Sequence, residues 1–489
     1  MSPAPKNLEI PSSIREAYDP ERFRSEGHRL IDTLADYLNA VTRPGNTLPV
    51  LPWHAPPDNA LAFAPNFPKA PTSNFDAFFK SVLERSIHIH HPHYVGHQVT
   101  APLPLAALCE LAAALLNNSM AIYEMGPAST AMERSVIRFL TDRLGMGECA
   151  DGVLTSGGSI GNLSALLAAR RAKSGFSTWE LGAHAGPPLC VLASEQSHYC
   201  IARSLRIMGW GEDGLIPVPV DENFRMLPSA LPQALEEATR RGRKTIAVVA
   251  SAGSTATGAF DPLEAIADFC DANKLWFHVD GAHGASAALS PRHRAQVQGI
   301  QRADSVVIDA HKMMLMPSLI TAVLFKDGQA SHEIFAQKAE YLFLDEAKRF
   351  DIGTRTLECT KRMMALKLYA SLSLLGTDFF ADYIGRAFDL GARFAELLQH
   401  TGEFELPTLP QANIVCFRHR PKGFSSDESA LDTLQEGIRV HLRDEGSFYL
   451  VQTKLRGRTF LRTTLINPLT AESDLEALIE AIRRAATSP

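Results

Sequence analysis

The chain has 489 residues, too many for one compact core, and its 45% hydrophobic and 21% charged residues are ordinary for a globular protein. A formal net charge of −6 with no Lys/Arg block excludes an electrostatic nucleic-acid binder. Seven cysteines, widely spread and without a CxxC pair, exclude a disulfide framework and a cysteine zinc site, and fit reduced thiols in a cytoplasmic setting.

The N-terminal MSPAPKNLEIPSSIREAYDPERF has no apolar h-region, so no secretory leader is predicted. FRSEGHRLIDTLADYLNAV, residues 23–41, has apolar residues at helical spacing, and a Pro-rich stretch follows at 48–71. Residues 1–90 read as a helical arm that wraps a partner subunit. APLPLAALCELAAALL, at 101–116, carries prolines and a glutamate and is too interrupted to cross a bilayer.

Residues 91–375 alternate two patterns. TAMERSVIRFLTDRLG, SIGNLSALLAARRAK and PLEAIADFCDAN have helical periodicity, whereas PLCVLAS, TIAVVAS, LWFHVDG, SVVIDA and ITAVLFK are short continuous apolar runs. Continuous runs are strands buried on both faces, and their alternation with helices predicts an α/β domain with a mostly parallel sheet flanked by helices. Ligands of such sheets bind beyond the C-terminal strand ends. From 376 to 489 the helical stretches ADYIGRAFDLGARFAELLQH and ESDLEALIEAIRRAA enclose the short strands ANIVCFRHR and TFLRTTL, a smaller α+β domain.

The predicted strand ends carry unusual polar residues: His198 after CVLAS, Thr255 after TIAVVAS, Asp280 in HVD, and His311 and Lys312 after SVVIDA. Lys312 stands inside SVVIDAHKMMLMPSL, where an isolated ammonium is costly to bury. VLTSGGSIGNL places Gly158 and Ser159 at a helix start, an anion site suited to a phosphate. Each feature has a bland reading: a Gly/Ser turn is usually a cap, a lone histidine a core residue, a strand-end aspartate a turn cap, and a lysine can snorkel to the surface. Together they fit one cofactor, pyridoxal 5'-phosphate. Its aldehyde needs a lysine of depressed pKa to form an imine, and its ring nitrogen needs an acid partner. Its phosphate needs a helix terminus, and its ring needs a stacking face. No metal site is expected.

These pieces resemble the pyridoxal 5'-phosphate-dependent group II amino-acid decarboxylases of fold type I, nearest to the glutamate, cysteine-sulfinate and 2,4-diaminobutyrate enzymes. The resemblance runs from HPHYVGHQ at 91 to LRTTLINP at 461–468, through GVLTSGGSIGNLSALLAAR, SEQSHY, STATGAFDPL, WFHVDGAHG and ADSVVIDAHK. It implies a seven-stranded, mostly parallel sheet and decarboxylation of an L-amino acid to its amine. It also implies a homodimer with active sites at the interface. By the same resemblance Lys312 carries the cofactor and Asp280 pairs with the ring nitrogen. Ala282 and His198 cover the two ring faces, and His198 assists protonation. Gly158 and Ser159 hold the phosphate, His311 touches the phosphate or the substrate, Thr255 lies near the ring substituents, and Gln98 and Arg462 face the substrate.

Three departures stand out. The usual DPHK is Asp309-Ala310-His311-Lys312, the usual second alanine after HVD is Gly281, and an aromatic is replaced by His283. The loop that carries a proton-donating tyrosine in glutamate-like members is shortened, with Phe350 near its place and Tyr341 the nearest phenol. An aldehyde synthase or another fold type I reaction is the alternative reading. A dinucleotide-binding protein is disfavoured because no GxGxxG follows a first strand, and a non-catalytic module because Lys312, Asp280 and His198 are all present.

Overall fold

A computed structural model of the chain describes residues 9–487 apart from 65–66, 71, 73, 336–349 and 425–426. Seven strands form the large sheet: β1 (Asp151–Thr155), β2 (Leu189–Ser194), β3 (Leu215–Val218), β4 (Lys244–Ser251), β5 (Trp276–Asp280), β6 (Ser305–Asp309) and β7 (Thr321–Phe325). Their order is β1-β7-β6-β5-β4-β2-β3. Neighbours pair in parallel except β7, which runs antiparallel to both β1 and β6. All five apolar runs form strands. ITAVLFK, however, becomes the one reversed strand of this sheet, because the chain returns from β6 through residues 310–320 without a crossover helix.

Alternate residues of each strand feed two cores. Leu154, Leu192, Val248, Val279 and Ile308 enter one, while Val153, Val191, Val249 and Val307 enter the other. Both faces are therefore covered, which is why these strands read as unbroken apolar runs. Two strands give weaker signals. β1 is five residues long and runs directly into the Gly-Gly turn, and β3 contains Pro217 and sits at the sheet edge, where a missing N–H is tolerated.

The smaller sheet is antiparallel throughout, in the order β10-β11-β9-β8, from β8 (Phe404–Glu405), β9 (Ile414–His419), β10 (Val451–Leu455) and β11 (Arg458–Thr464). The 25-residue helix Thr377–Thr401 leads into it and packs by close approach of backbones. A Cβ on Gly391 would lie 2.5 Å from the Ala412 carbonyl oxygen, so only glycine fits there. The helix Pro20–Thr42 starts at Asp19, whose carboxylate accepts the Glu21 N–H at 3.0 Å. No described helix is long and apolar enough to cross a membrane.

Candidate active site

Six of the seven strands in the large sheet point the same way, so their C-terminal ends share one edge. A cavity of about 290 Å³ opens there. It is lined by His198 beyond β2, Thr255 beyond β4, Asp280 and Ala282 at the end of β5, and His311 and Lys312 beyond β6. Gly158 and Ser159, after β1, complete the lining, so eight of the ten residues singled out in the sequence meet at one place.

The Gly-Gly-Ser turn is shaped by backbone constraints. Gly157 has a φ of +117°, a region that disfavours any side chain. A Cβ on Gly158 would come within 3.2 Å of both carboxylate oxygens of Asp309. The 16-residue helix Gly158–Lys173 begins here and directs its first amides toward the cavity edge. Ser156 anchors the turn from behind, its N–H and Oγ both donating to Glu358 Oε1, at 2.9 and 2.5 Å.

Lys312 Nζ lies 3.0 Å from Asp309 Oδ2. Burial depresses its ammonium, but Asp309 and Asp280 outweigh that and hold it above the ordinary lysine range. The expectation of a depressed lysine is thereby corrected: two carboxylates, not one, face this amine. Asp309 is itself fixed by Thr321, whose hydroxyl donates to Oδ1 at 2.5 Å. Burial raises the Asp280 carboxyl, and Lys312 together with the Ala282 N–H opposes that rise. The Ala282 N–H donates to Asp280 Oδ1 at 3.2 Å, and Asn162 Nδ2 donates to Oδ2 at 3.2 Å.

His198 accepts the Cys200 N–H on Nδ1 at 3.3 Å, so its neutral ring carries the proton on Nε2. Burial and the Lys312 charge lower its pKa, against the pull of Asp280. His311 Nδ1 sits 2.9 Å from the Ile320 carbonyl oxygen.

Gln98 and Arg462 stand apart from the other eight, outside the cavity lining. Arg462, on β11, is buried, donates from Nη2 to Thr464 Oγ1 at 3.3 Å, and leaves its Nε without an acceptor among the described residues. Gln98 Nε2 is likewise buried without one. The departures in the HVD segment have physical reasons. A Cβ at Gly281 would fall 2.5 Å from the Ala285 Cβ and 3.0 Å from the Val307 carbonyl oxygen. Gly281→Ala is expected to destabilise the fold by about 1–3 kcal/mol, read as a lower urea midpoint with an unchanged slope. His283 lines the cavity, is buried, and bonds through Nε2 to Asn413 Oδ1 at 2.7 Å; burial pushes its pKa down to about 3. Phe350 packs against the Tyr123 ring and the Arg134 guanidinium, away from the cavity lining. Tyr341 lies outside the described residues.

Sequence reasoning missed Asn162 and Asp309 as site residues. Both line the cavity. Their signals were present: Asn162 is one helical turn beyond Gly158, hence on the same face, and Asp309 sits one turn before Lys312.

The donor set fits pyridoxal 5'-phosphate. It offers an amine for the aldehyde, a buried carboxylate for the ring nitrogen, an amide-rich helix start for the phosphate, and an imidazole beside the ring. Comparison with known proteins agrees. The model of the pyridoxal-dependent decarboxylase conserved domain matches residues 68–420. The cysteine sulfinic acid decarboxylase of Mus musculus is 31% identical over 416 residues, 82% of this chain and 83% of that protein. An aromatic-L-amino-acid decarboxylase of Bacillus atrophaeus is 26% identical over 467 residues, 95% of each chain. The crystal structure of mouse CSAD superposes with a TM-score of 0.91 at 27% identity, covering 96% of this chain and 100% of that one.

Proposed function

This chain belongs to the pyridoxal-dependent decarboxylase family and is a pyridoxal 5'-phosphate-dependent amino-acid decarboxylase, and from that premise we propose how its own residues share the work. Bound in the cavity, the cofactor supplies an aldehyde that captures the substrate amine and a ring that accepts the electron pair left behind by CO2.

Lys312 Nζ holds the aldehyde, and Asp309 Oδ2, 3.0 Å away, orients that amine and holds its proton. Asp280 holds a proton on the ring nitrogen, a placed charge of the kind that usually dominates catalysis. Ala282 and His198 would flank the ring faces, and His198 would offer its Nε2 proton to the carbon that loses CO2. Gly158, Ser159 and His311 bind the phosphate at the helix start, and Thr255 borders the ring substituents. The substrate is an L-amino acid whose Cα–carboxylate bond these contacts hold across the ring plane.

The active protein is a homodimer with the cavities near the interface. Leu108, Leu111, Leu115 and Leu116 of the helix Pro104–Leu116 are all about half exposed or more, an apolar face that suits a second copy. Sedimentation at twice the monomer mass is the expected result. A cytoplasmic location accords with seven unpaired cysteines.

The observation that carries this reading is the meeting of Lys312 and Asp280, from neighbouring strand ends, in one cavity with the Gly-Gly-Ser turn. Incubating the holoenzyme with a panel of L-amino acids tests it, with products identified by mass spectrometry. Amine and CO2 in equal amounts are expected from at least one of them. Aldehyde, ammonia and peroxide in place of amine would shift the assignment to the oxidative alternative.

A further inference from the structure

From Asn162, at the cavity wall beside Asp280, a line of buried polar groups that the reaction as described does not use runs to residues outside the cavity lining. Asn162 Nδ2 donates to Asp280 Oδ2 at 3.2 Å and approaches Cys200 Sγ at 3.4 Å. Asn162 Oδ1 is 2.7 Å from His278 Nε2. His278 Nδ1 is 2.9 Å from Ser305 Oγ, and the indole Nε1 of Trp276 donates to the same Oγ at 2.8 Å. Asn162, His278 and Ser305 are at most 1% exposed, so no solvent substitutes for these partners. The residues come from the helix Gly158–Lys173 and from β5 and β6, where His278 stands opposite Ser305 in the parallel register.

Two proton arrangements satisfy the middle of this line. In one, every donor points toward Asp280: Trp276 to Ser305, Ser305 to His278 Nδ1, His278 Nε2 to Asn162 Oδ1, and Asn162 Nδ2 to an ionised carboxylate. In the other, with the Asn162 amide turned over, the line is reversed: a protonated Asp280 donates to Asn162 Oδ1, Asn162 Nδ2 to His278 Nε2, and His278 Nδ1 to Ser305 Oγ. Trp276 decides between them, because an indole nitrogen only donates. In the reversed arrangement Ser305 would accept from both Trp276 and His278. Its own hydroxyl proton would then be left without an acceptor in this line, and an orphaned buried donor is costly. The His278 ring, pushed down to about 4 by burial, is neutral and carries a single proton, as either arrangement needs.

We propose that Trp276, Ser305, His278 and Asn162 form a one-way chain of donors that positions Asp280 and keeps it ionised against the cofactor's ring nitrogen. The four are positioning residues; they act through Asp280 and touch neither substrate nor cofactor in this scheme. The inference rests on the role assigned to Asp280. The other charged or titratable groups facing that carboxylate are Lys312, Asp309, His198 and Cys200, all on the cavity side or beside Asn162. None of them replaces a donor at Oδ2. A hydrogen bond to a buried charge is among the stronger ones, so its loss lets burial raise Asp280 and weakens its hold on the ring proton.

The test is the pH at which the ring nitrogen of bound, 15N-labelled pyridoxal 5'-phosphate loses its proton, read from its chemical shift in the holoenzyme. His278→Phe and Asn162→Ala are expected to lower that midpoint by about one pH unit, a tenfold change. His278→Gln, which keeps a donor toward Asn162 and an acceptor toward Ser305, is expected to restore most of it. Trp276→Phe and Ser305→Ala, milder changes that report even where the others fail to fold, are expected to shift it the same way by less. An unchanged midpoint in the folded variants overturns the proposal if Asp280→Asn does move it. If Asp280→Asn also leaves the midpoint in place, the role of Asp280 itself fails.

Discussion

Lys312→Ala is expected to abolish turnover and to remove the visible absorbance of the bound cofactor, with the fold intact by circular dichroism. Lys312 is the lysine whose amine lines the cavity, and among the described residues no other side chain there offers a primary amine. The consequence extends to pH. With Asp309 Oδ2 at 3.0 Å and Asp280 nearby, Lys312 is held above the ordinary lysine range, so at neutral pH almost all of it is the non-nucleophilic ammonium. Because the folded-state pKa is raised, the free-amine fraction grows about tenfold per pH unit until that pKa is reached. Cofactor capture, followed by stopped-flow absorbance, should therefore accelerate from pH 6 to 9. Asp309→Asn removes the larger of the two favourable charges and should move this profile toward lower pH. Borohydride reduction followed by peptide mapping should mark Lys312 alone. Label on another lysine, or colour surviving in Lys312→Ala, would sink the assignment.

The legible part of this site was the part that topology alone determines. In a sheet of co-directional strands every C-terminal end reaches one edge, so His198, Thr255, Asp280 and Lys312 could be placed together without any coordinates. Gly158 and Ser159, usually a mere cap when read alone, were legible through their company with Asp280 and Lys312. What escaped depended on register and reach. The spacing of Asn162 puts it on the Gly158 face of the helix Gly158–Lys173, but its bond to Asp280 also depends on how that helix crosses the sheet. The reversal of β7 was hidden because Thr321–Phe325 is buried on both faces, and burial looks the same for either strand direction. Arg462 and Gln98 were placed by likeness of residue type. Arg462 Nη2 donates to Thr464 Oγ1 within β11, and burial lowers its pKa. The 2.7 Å contact of His283 to Asn413 ties the large sheet's strand end to the small domain.

Asp280→Asn is expected to lower kcat by roughly a thousandfold while the protein still folds and still binds the cofactor, since removing a group that stabilises transition-state charge typically costs about 10²–10³. Asparagine is nearly isosteric, and its Oδ1 can still accept from Asn162 or from the Ala282 N–H, the two donors now at 3.2 Å. Its other terminal atom becomes an NH₂ group. Whichever way the amide turns, one of the two backing donors then meets a donor, or the ring nitrogen faces a donor where it had an acceptor. A protonated ring nitrogen cannot bond to that NH₂, so the ring is driven to its neutral form and loses its capacity as an electron sink. The defect should fall on kcat, with a smaller change in KM, because the buried carboxylate is assigned to the ring nitrogen and not to the substrate. Asp280→Glu keeps the charge but lengthens the reach and should recover part of the rate. Equal kcat values for Asp280→Asn and the unaltered protein would mean that the ring-nitrogen charge is supplied elsewhere, with Asp309 the nearest other carboxylate in the cavity lining.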